Sequence, residues 1–333
     1  MAEKIFVIGS NSFSGASFID YTLACGATVY GTSRSAEAAP VFLPYRWKPR
    51  RPDLGRFHFE QLDLNRDGER LAGAIRDFEP DYVVNFAAQS MVAESWLYPE
   101  QWYQTNVVAN VRLHERIRRF SFLKKYVHIS TPEVYGSCAG NVTEGAPFEP
   151  STPYAASRAA CDLHLMTFFK NYRFPVAFTR AANVYGPGQQ LYRIISRTIF
   201  FVKTGRRLHL HGGGRSVRSF VHIRDVADGT LRVARQAAPG EVYHFSTSVY
   251  VSVREVVEMI CGKLGAEFDE VVEVVGDRPG KDAAYLLDSS KARQTLGWAD
   301  SIDLDKGIDE TIAWAADNLE ELKKQPQDYI HKE

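Results

Sequence analysis

Short apolar runs alternate with segments of helical period through the first half of the chain, and this alternation predicts an architecture. KIFVIGS (residues 4–10) is an apolar run ending in glycine, the pattern of a strand buried on both faces. In NSFSGASFIDYTLACG (11–26) the apolar positions return at helical spacing. ATVYGTSRS (27–35), FHFEQLDL (57–64), DYVVNFAAQ (81–89), KKYVHISTPEVYG (124–136) and PVAFTRAANVYGPG (175–188) continue the strand series. LAGAIRDFEP (71–80) and the stretch from Trp102 to Phe120 carry the helical period between them. Strand and helix in turn predict an α/β fold: a Rossmann-like doubly wound parallel sheet with right-handed crossovers. Ligands of such sheets lie outside the carboxyl ends of the strands.

From about Tyr185 the spacing becomes irregular, and TGRRLHLHGGGRSVRSFVH (204–222) is rich in glycine, arginine and histidine. The expected organisation is a dinucleotide-binding domain of residues 1–184, to which 219–248 return. A smaller C-terminal α/β substrate-binding domain is expected from 185–218 and 249–325, followed by a polar tail, 326–333. No internal repeat or low-complexity tract interrupts the chain.

Composition narrows the class. Forty basic and forty acidic side chains cancel over 333 residues, which argues against a nucleic-acid partner while leaving room for a local anion pocket. No apolar run reaches the length of a membrane span. Cys25, Cys138, Cys161 and Cys261 are scattered without a CxxC pair, as expected of a reduced, cytoplasmic protein. Structure that begins at Lys4 leaves no room for a signal peptide.

Chemistry enters after the first strand, where Gly9-Ser-Asn-Ser12-Phe-Ser-Gly15 opens a helix. Glycines here let backbone approach a pyrophosphate, whose charge the helix N-terminus favours. Ser12 stands where the usual pattern has a middle glycine. After the second strand the chain reads Thr32-Ser33-Arg34-Ser35, with no carboxylate to bind an NAD ribose. Arg34 instead suits a 2′-phosphate, so NADP is favoured over NAD. Asp63, ending the third strand, could accept from an adenine amino group. Tyr154 and Arg158 lie four residues apart and share a helix face. A cation there favours the phenolate of a tyrosine whose ordinary pKa is about 10. His209 and His211 alternate along a strand without a third ligand, and no metal site is expected. Gly212–Gly214 with Arg215 form either a phosphate cradle or a plain hairpin. RIRRF (116–120) reads as a solvated helix face.

NFAAQS, ISTPEVYG, YAASR, RAANVYGPGQ, RSFVHIRDVA and DRPGKDAAY follow the glycine turn in order. Together they resemble the extended short-chain dehydrogenase/reductases that act on nucleotide sugars, over Lys4 to about Trp314. STPEVYG and DRPGKD place the likeness nearest the NDP-hexose 4,6-dehydratases of the dTDP-glucose type. The resemblance implies that Tyr154 takes the proton of the sugar 4-hydroxyl, which Thr131 hydrogen-bonds, while hydride passes to the nicotinamide. It implies that Arg158 holds the nicotinamide ribose and that Glu133 removes the C5 proton. Water would then leave C6 and hydride return there. Cofactor contacts are implied for Gly9, Ser12, Phe13, Gly15, Ser33, Arg34, Asp63, Leu64, Ala87, Ala88, Gln89 and Asn106, besides Tyr154 and Arg158. Ser90, Asn183, Arg218 and Arg278 are implied for the substrate, the last three at its diphosphate.

Three positions depart from the dehydratase pattern. Pro132 stands where those enzymes carry an aspartate that protonates the departing hydroxyl. Arg158 replaces a lysine and Asn85 a histidine. The alternatives that stay open are a C4 epimerase or a decarboxylase of the same family, and a non-catalytic protein binding NAD(P) or a nucleotide sugar. The resemblance also implies a homodimer, paired through the helix before HISTPEVYG and the helix of Tyr154, with Val107, Val111, Met166 and Phe169 as apolar candidates.

Overall fold

A computed structural model describes residues 2–47, 52–137, 140–276 and 286–332. Seven strands form one sheet: β1 (Lys4–Ile8), β2 (Thr28–Ser33), β3 (Phe57–Gln61), β4 (Tyr82–Asn85), β5 (Lys125–Ile129), β6 (Val176–Ala181) and β7 (Val242–Phe245). Their order is β7-β6-β5-β4-β1-β2-β3, and every neighbouring pair is parallel. The doubly wound sheet expected from the pattern is therefore present. Chain direction across the sheet reverses at β1, which lies between β4 and β2, and sheets of this kind bind their ligands at the carboxyl ends beside such a reversal.

The two-residue period of β1 explains why its sequence is uniformly apolar. Ile5 and Val7 pack into one core with Phe18, Leu23 and Val226, while Phe6 and Ile8 pack into another with Leu71, Leu113 and Leu165. The first core lies under helices α1 (Phe13–Ala24) and α5 (Ile223–Gln236). The second lies under α2 (Gly68–Phe78), α3 (Asn110–Ile117) and α4 (Pro153–Tyr172). A further core gathers Phe42, Tyr185, Ile195, Phe220, Ile260 and Trp314, residues that follow the strands of the main sheet or come from the C-terminal half.

Three elements differ from the sequence pattern, each for a local reason. The third strand stops at Gln61, because the Asp63 carboxylate accepts from Asn65 N at 2.8 Å and its carbonyl accepts from Asp67 N at 2.7 Å, closing a turn. PVAFTRAANVYGPG is two strands: β6 stays in the main sheet, while Asn183–Tyr185 pairs with Phe220–His222. Trp102 to Phe120 is not one regular helix, since Gln104–Ala109 widens to a π-helical turn. The Asn110 amide inserts there, donating to the carbonyls of Thr105 at 3.0 Å and Asn106 at 3.2 Å.

Candidate active site

The turn after β1 is built for close backbone approach. Gly9 has φ +87°, and a Cβ on it would stand 2.6 Å from Ala87 N. A Cβ on Gly15 would meet Gly9 O at 2.3 Å. Ser12 takes up the place of the absent middle glycine as a helix cap. Its hydroxyl donates to Gly9 O at 2.7 Å and accepts from Gly15 N at 3.0 Å. Phe13 opens α1 and is buried. Ala87 and Ala88 follow β4 opposite this turn. Asn85 holds their loop: its oxygen accepts from Ala87 N at 2.9 Å, and its amide donates to Asn110 and to the Tyr126 hydroxyl, both at 2.8 Å. The histidine-to-asparagine departure thus falls on a residue that shapes the loop.

Thr131 and Glu133 come from the segment leaving β5. Thr131 caps a single turn, Pro132–Tyr135, and its hydroxyl accepts from Glu133 N at 3.3 Å. Pro132 is the first residue of that turn, a place where the missing N–H costs nothing and the fixed φ helps. Tyr154 and Arg158 come from α4, which Thr152 caps by accepting from Ala155 N at 3.1 Å, with Pro153 again first. Tyr154, Arg158 and Asp162 then recur every four residues on one face toward β5.

The two segments converge. Thr131 hydrogen-bonds the Tyr154 phenol, and the charges of Glu133, Arg158 and Arg193 all act on it. Burial raises the phenol above its ordinary pKa and Glu133 adds to the rise. Arg158, the Thr131 bond and Arg193 oppose it without overcoming it. Arg158 therefore pulls in the expected direction but is outweighed in the protein alone.

Arg158 is 2% exposed. Its Nη2 donates to the Ile129 carbonyl and lies 3.2 Å from His128 Nε2. Burial and the adjacent Arg158 and Arg180 hold the His128 imidazole well below its ordinary pKa, so its ring nitrogen can accept. Arg158 Nε and Nη1 are buried without a hydrogen-bond partner among the described residues. The two buried donors of Arg158, one helical turn from Tyr154, and a turn in which Gly9 and Gly15 bring backbone close fit the ribose and pyrophosphate of a dinucleotide.

Other expected residues are placed with different definition. Asn106, fully buried, accepts from Gln89 N and donates to Gln89 O and Ser157 Oγ, each at 2.9 Å, so it ties the β4 loop to α4. Ser33 ends β2 and Arg34 follows it. Leu64 is buried in the core, and the Asp63 carboxylate serves its own turn with at least one oxygen. Ser90 is exposed just beyond Gln89. Asn183 N donates to Ser219 O at 3.0 Å, which brings Asn183 beside Arg218. Arg218 is 9% exposed. Arg278 and Cys138 lie outside the described residues.

Residues 6–311 match the family model described as GDP-mannose 4,6 dehydratase. The chain belongs to this family. The dTDP-glucose 4,6-dehydratase of Streptomyces antibioticus is 32% identical over 97% of this chain and 96% of its own length. Of solved structures, the dTDP-glucose 4,6-dehydratase of Streptomyces venezuelae, which holds NAD, superposes with a TM-score of 0.86 at 31% identity. That likeness covers 95% of this chain and 97% of the other. The UDP-glucose 4-epimerase of Thermus thermophilus, solved as a complex with NAD, gives 0.83 at 25% identity, over 93% and 98% of the two chains. The resemblance to extended short-chain dehydrogenase/reductases, nearest the dTDP-glucose type, holds over nearly the whole length.

The family member carries groups that sequence reasoning missed. Arg193 acts on Tyr154 from the start of the helix Ile194–Lys203, and nothing in its local sequence marks it. Asp162 accepts from Arg180 Nη2 at 2.7 Å and Ser130 Oγ at 2.6 Å, and its second oxygen lies 3.5 Å from His128 Nε2. Its signal was the spacing: Asp162 continues the Tyr154–Arg158 face by one more turn.

Proposed function

We propose that this chain is an NAD(P)-dependent nucleotide-sugar 4,6-dehydratase, and the observation that carries the reading is the convergence of Thr131, Glu133, Tyr154 and Arg158 beside a glycine-lined turn. The relatives named dTDP-glucose 4,6-dehydratase, similar over nearly full length, support the same reaction. Bound NAD(P) supplies the hydride acceptor for oxidation at C4 and the hydride later returned at C6. Tyr154 takes the 4-hydroxyl proton as that carbon is oxidised, with Thr131 orienting the hydroxyl. Glu133 removes the C5 proton, made acidic by the C4 ketone, and water leaves C6. Glu133 lies next to Pro132, which has no proton to offer, so Glu133 also delivers the proton to the departing hydroxyl. A carboxylate that repels charge on Tyr154 is well placed to carry a proton between steps.

Arg158 positions the ribose through its two unpartnered donors and opposes the rise of the Tyr154 pKa. Asn183, Arg218 and Arg278 take the substrate diphosphate. Arg34 at the end of β2 favours NADP over NAD. Free thiols at Cys25, Cys161 and Cys261 suit a reducing compartment, the cytoplasm. The chain works as a homodimer through the helical stretch from Trp102 to Phe120 and α4.

The test is proton NMR of the protein with a panel of nucleoside-diphosphate hexoses in deuterium oxide. The expected product has a new C6 methyl signal with deuterium at C5. Inversion at C4 without deuterium uptake would replace this reading by the epimerase one, which the Thermus neighbour keeps in view. No conversion of any sugar, with no change in the spectrum of added cofactor, would leave a binding protein. Affinities for NADPH and NADH, measured on the same preparation, are expected to favour NADPH.

A further inference from the structure

The segment expected to be a polar tail runs back over the cleft. Asp328 pairs with Arg197 and Gln327 accepts from Arg206, which fixes the segment beside the helix Ile194–Lys203. Tyr329 packs edge-on against Tyr192, ring centroids 5.5 Å apart at 78°. His331 lies flat against Tyr98 and Trp102, with centroids at 5.0 and 5.3 Å and planes within 4° and 9°. Its Nε2 is 2.5 Å from Gln101 Oε1. The Lys332 carbonyl accepts from Arg34 Nη1 at 3.1 Å and from Gln89 Nε2 at 2.7 Å, and its ammonium lies 3.2 Å from Ser35 Oγ.

Sheet order says where that carbonyl must be. Arg34 follows β2 and Gln89 follows β4, and β1 lies between those strands. An oxygen bonded to both residues therefore sits in front of the carboxyl end of β1, over the turn from Gly9 to Gly15. A dinucleotide places its diphosphate there. Tyr329 extends the coverage: its phenol feels Arg34 on the adenosine side and Arg193, which also acts on Tyr154. The segment thus runs from the reacting end of the cleft to its adenosine end, and it engages two side chains that the cofactor would use.

We propose that residues 325–332 are a strap that occupies the dinucleotide cleft and exchanges with the cofactor, the two being alternative occupants of one site. The proposal rests on reading the cleft as an NAD(P) site. Cofactor binding then requires strap release, and the apparent affinity is lowered by the fraction of molecules whose strap is seated. The seat consists of stacked rings, His331 lying on the buried Trp102, and of hydrogen bonds that are in part exposed, contacts of one short segment that can open locally without unfolding the molecule. Anything that draws the strap away raises cofactor affinity, which gives the protein a means of setting its own loading.

Hydrogen exchange on the full chain tests this directly, with NAD and NADP added in turn. Exchange in 325–332 is expected to quicken when cofactor binds, while the glycine turn becomes protected. In parallel, the double variant Y329A/H331A is expected to bind NADPH roughly tenfold tighter and associate faster, by fluorescence of the reduced cofactor. Slower exchange in 325–332 on cofactor addition, with weaker binding by the variant, would overturn the proposal and make the segment a lid over bound cofactor. No change in either measurement would overturn it by taking the segment off the cofactor path. If neither chain binds either dinucleotide, the cofactor reading of the cleft fails and the strap proposal with it.

Discussion

Tyr154 stands between charges of opposite sign, and this makes the effects of two substitutions opposite. Glu133 raises its pKa and Arg158 lowers it, against a background of burial that raises it. A general base must be deprotonated, so the acidic limb of the rate profile follows the phenol's pKa. Arg158→Met removes the opposing cation and is expected to move that limb to higher pH. Glu133→Gln removes the like charge and is expected to move it to lower pH. Because Glu133→Gln would, on the role proposed for Glu133, also abolish C5 deprotonation, both profiles are read on the first half-reaction, the reduction of bound cofactor in a single turnover. Tyr154→Phe should lose about 10²–10⁴-fold in that step. Rates that fall equally at every pH, with no movement of the limb, would reduce Arg158 and Glu133 to structural roles. From residue types at fixed spacing only the Tyr154–Arg158 pair was legible, four residues apart on one helix face. Thr131 and Glu133 were singled out by the family resemblance, and the structure brings both into the surroundings of the Tyr154 phenol. The meaning of Pro132 was legible only in part. A sequence shows that it cannot donate a proton, but only the backbone shows that it starts a capped turn holding Glu133 in place.

Among the elements, period and turn chemistry identified strands and helices well and their partners poorly. PVAFTRAANVYGPG reads as one strand because apolar period does not register a change of partner at Ala182. Trp102 to Phe120 reads as one helix because a π-helical turn keeps the apolar face, and only the inserted Asn110 amide betrays it. The same limit applies to the proposed dimer face. Met166 and Phe169, apolar and on α4, turn inward against the core with Leu165 and Phe174. Among the described residues, the aliphatic side chains that these helices leave exposed are Val108 and, at 58%, Leu163, besides the rings of Tyr103 and Tyr172. An exposed apolar pair on adjacent helices is consistent with a partner surface. Leu163→Glu combined with Val108→Glu is therefore expected to convert a dimer to a monomer in sedimentation at micromolar concentration. Neither side chain belongs to the chain's own core, so the far-ultraviolet dichroism should be unchanged. A dimer that persists would place the interface elsewhere.

At the scale of the whole molecule, the strand–helix alternation made the sheet legible, but not the buried histidines that its packing holds neutral. His222 is pushed down to about 4, by burial first and then by Arg224 and Lys306. His244 is pushed down to about 3, by burial and then Arg180. His114 and His128 lie well below the ordinary value for the same leading reason. Above the unfolded pKa of about 6.5 both states are neutral and these groups contribute no pH dependence. Below it the unfolded chain takes up protons that the native protein refuses, so stability falls as pH falls, until the native pKa is reached. Glu144 acts in the opposite sense, because burial raises its pKa and the native state protonates first. Carboxylates with lowered pKa, such as Asp81 and Asp288, weaken the fold only at lower pH. The window from about 6.5 down to 4 is thus set mainly by the histidines, and the urea midpoint should fall between pH 7 and pH 5. His222→Asn is the discriminating variant. The His222 ring caps α5, its Nδ1 accepting from Arg224 N at 3.3 Å, and asparagine retains that cap. The substitution should keep the fold at pH 7 and reduce the slope of stability against pH by up to about 1.4 kcal/mol per pH unit, one proton's worth. An unchanged slope would mean that His222 takes up its proton equally in the folded and unfolded states.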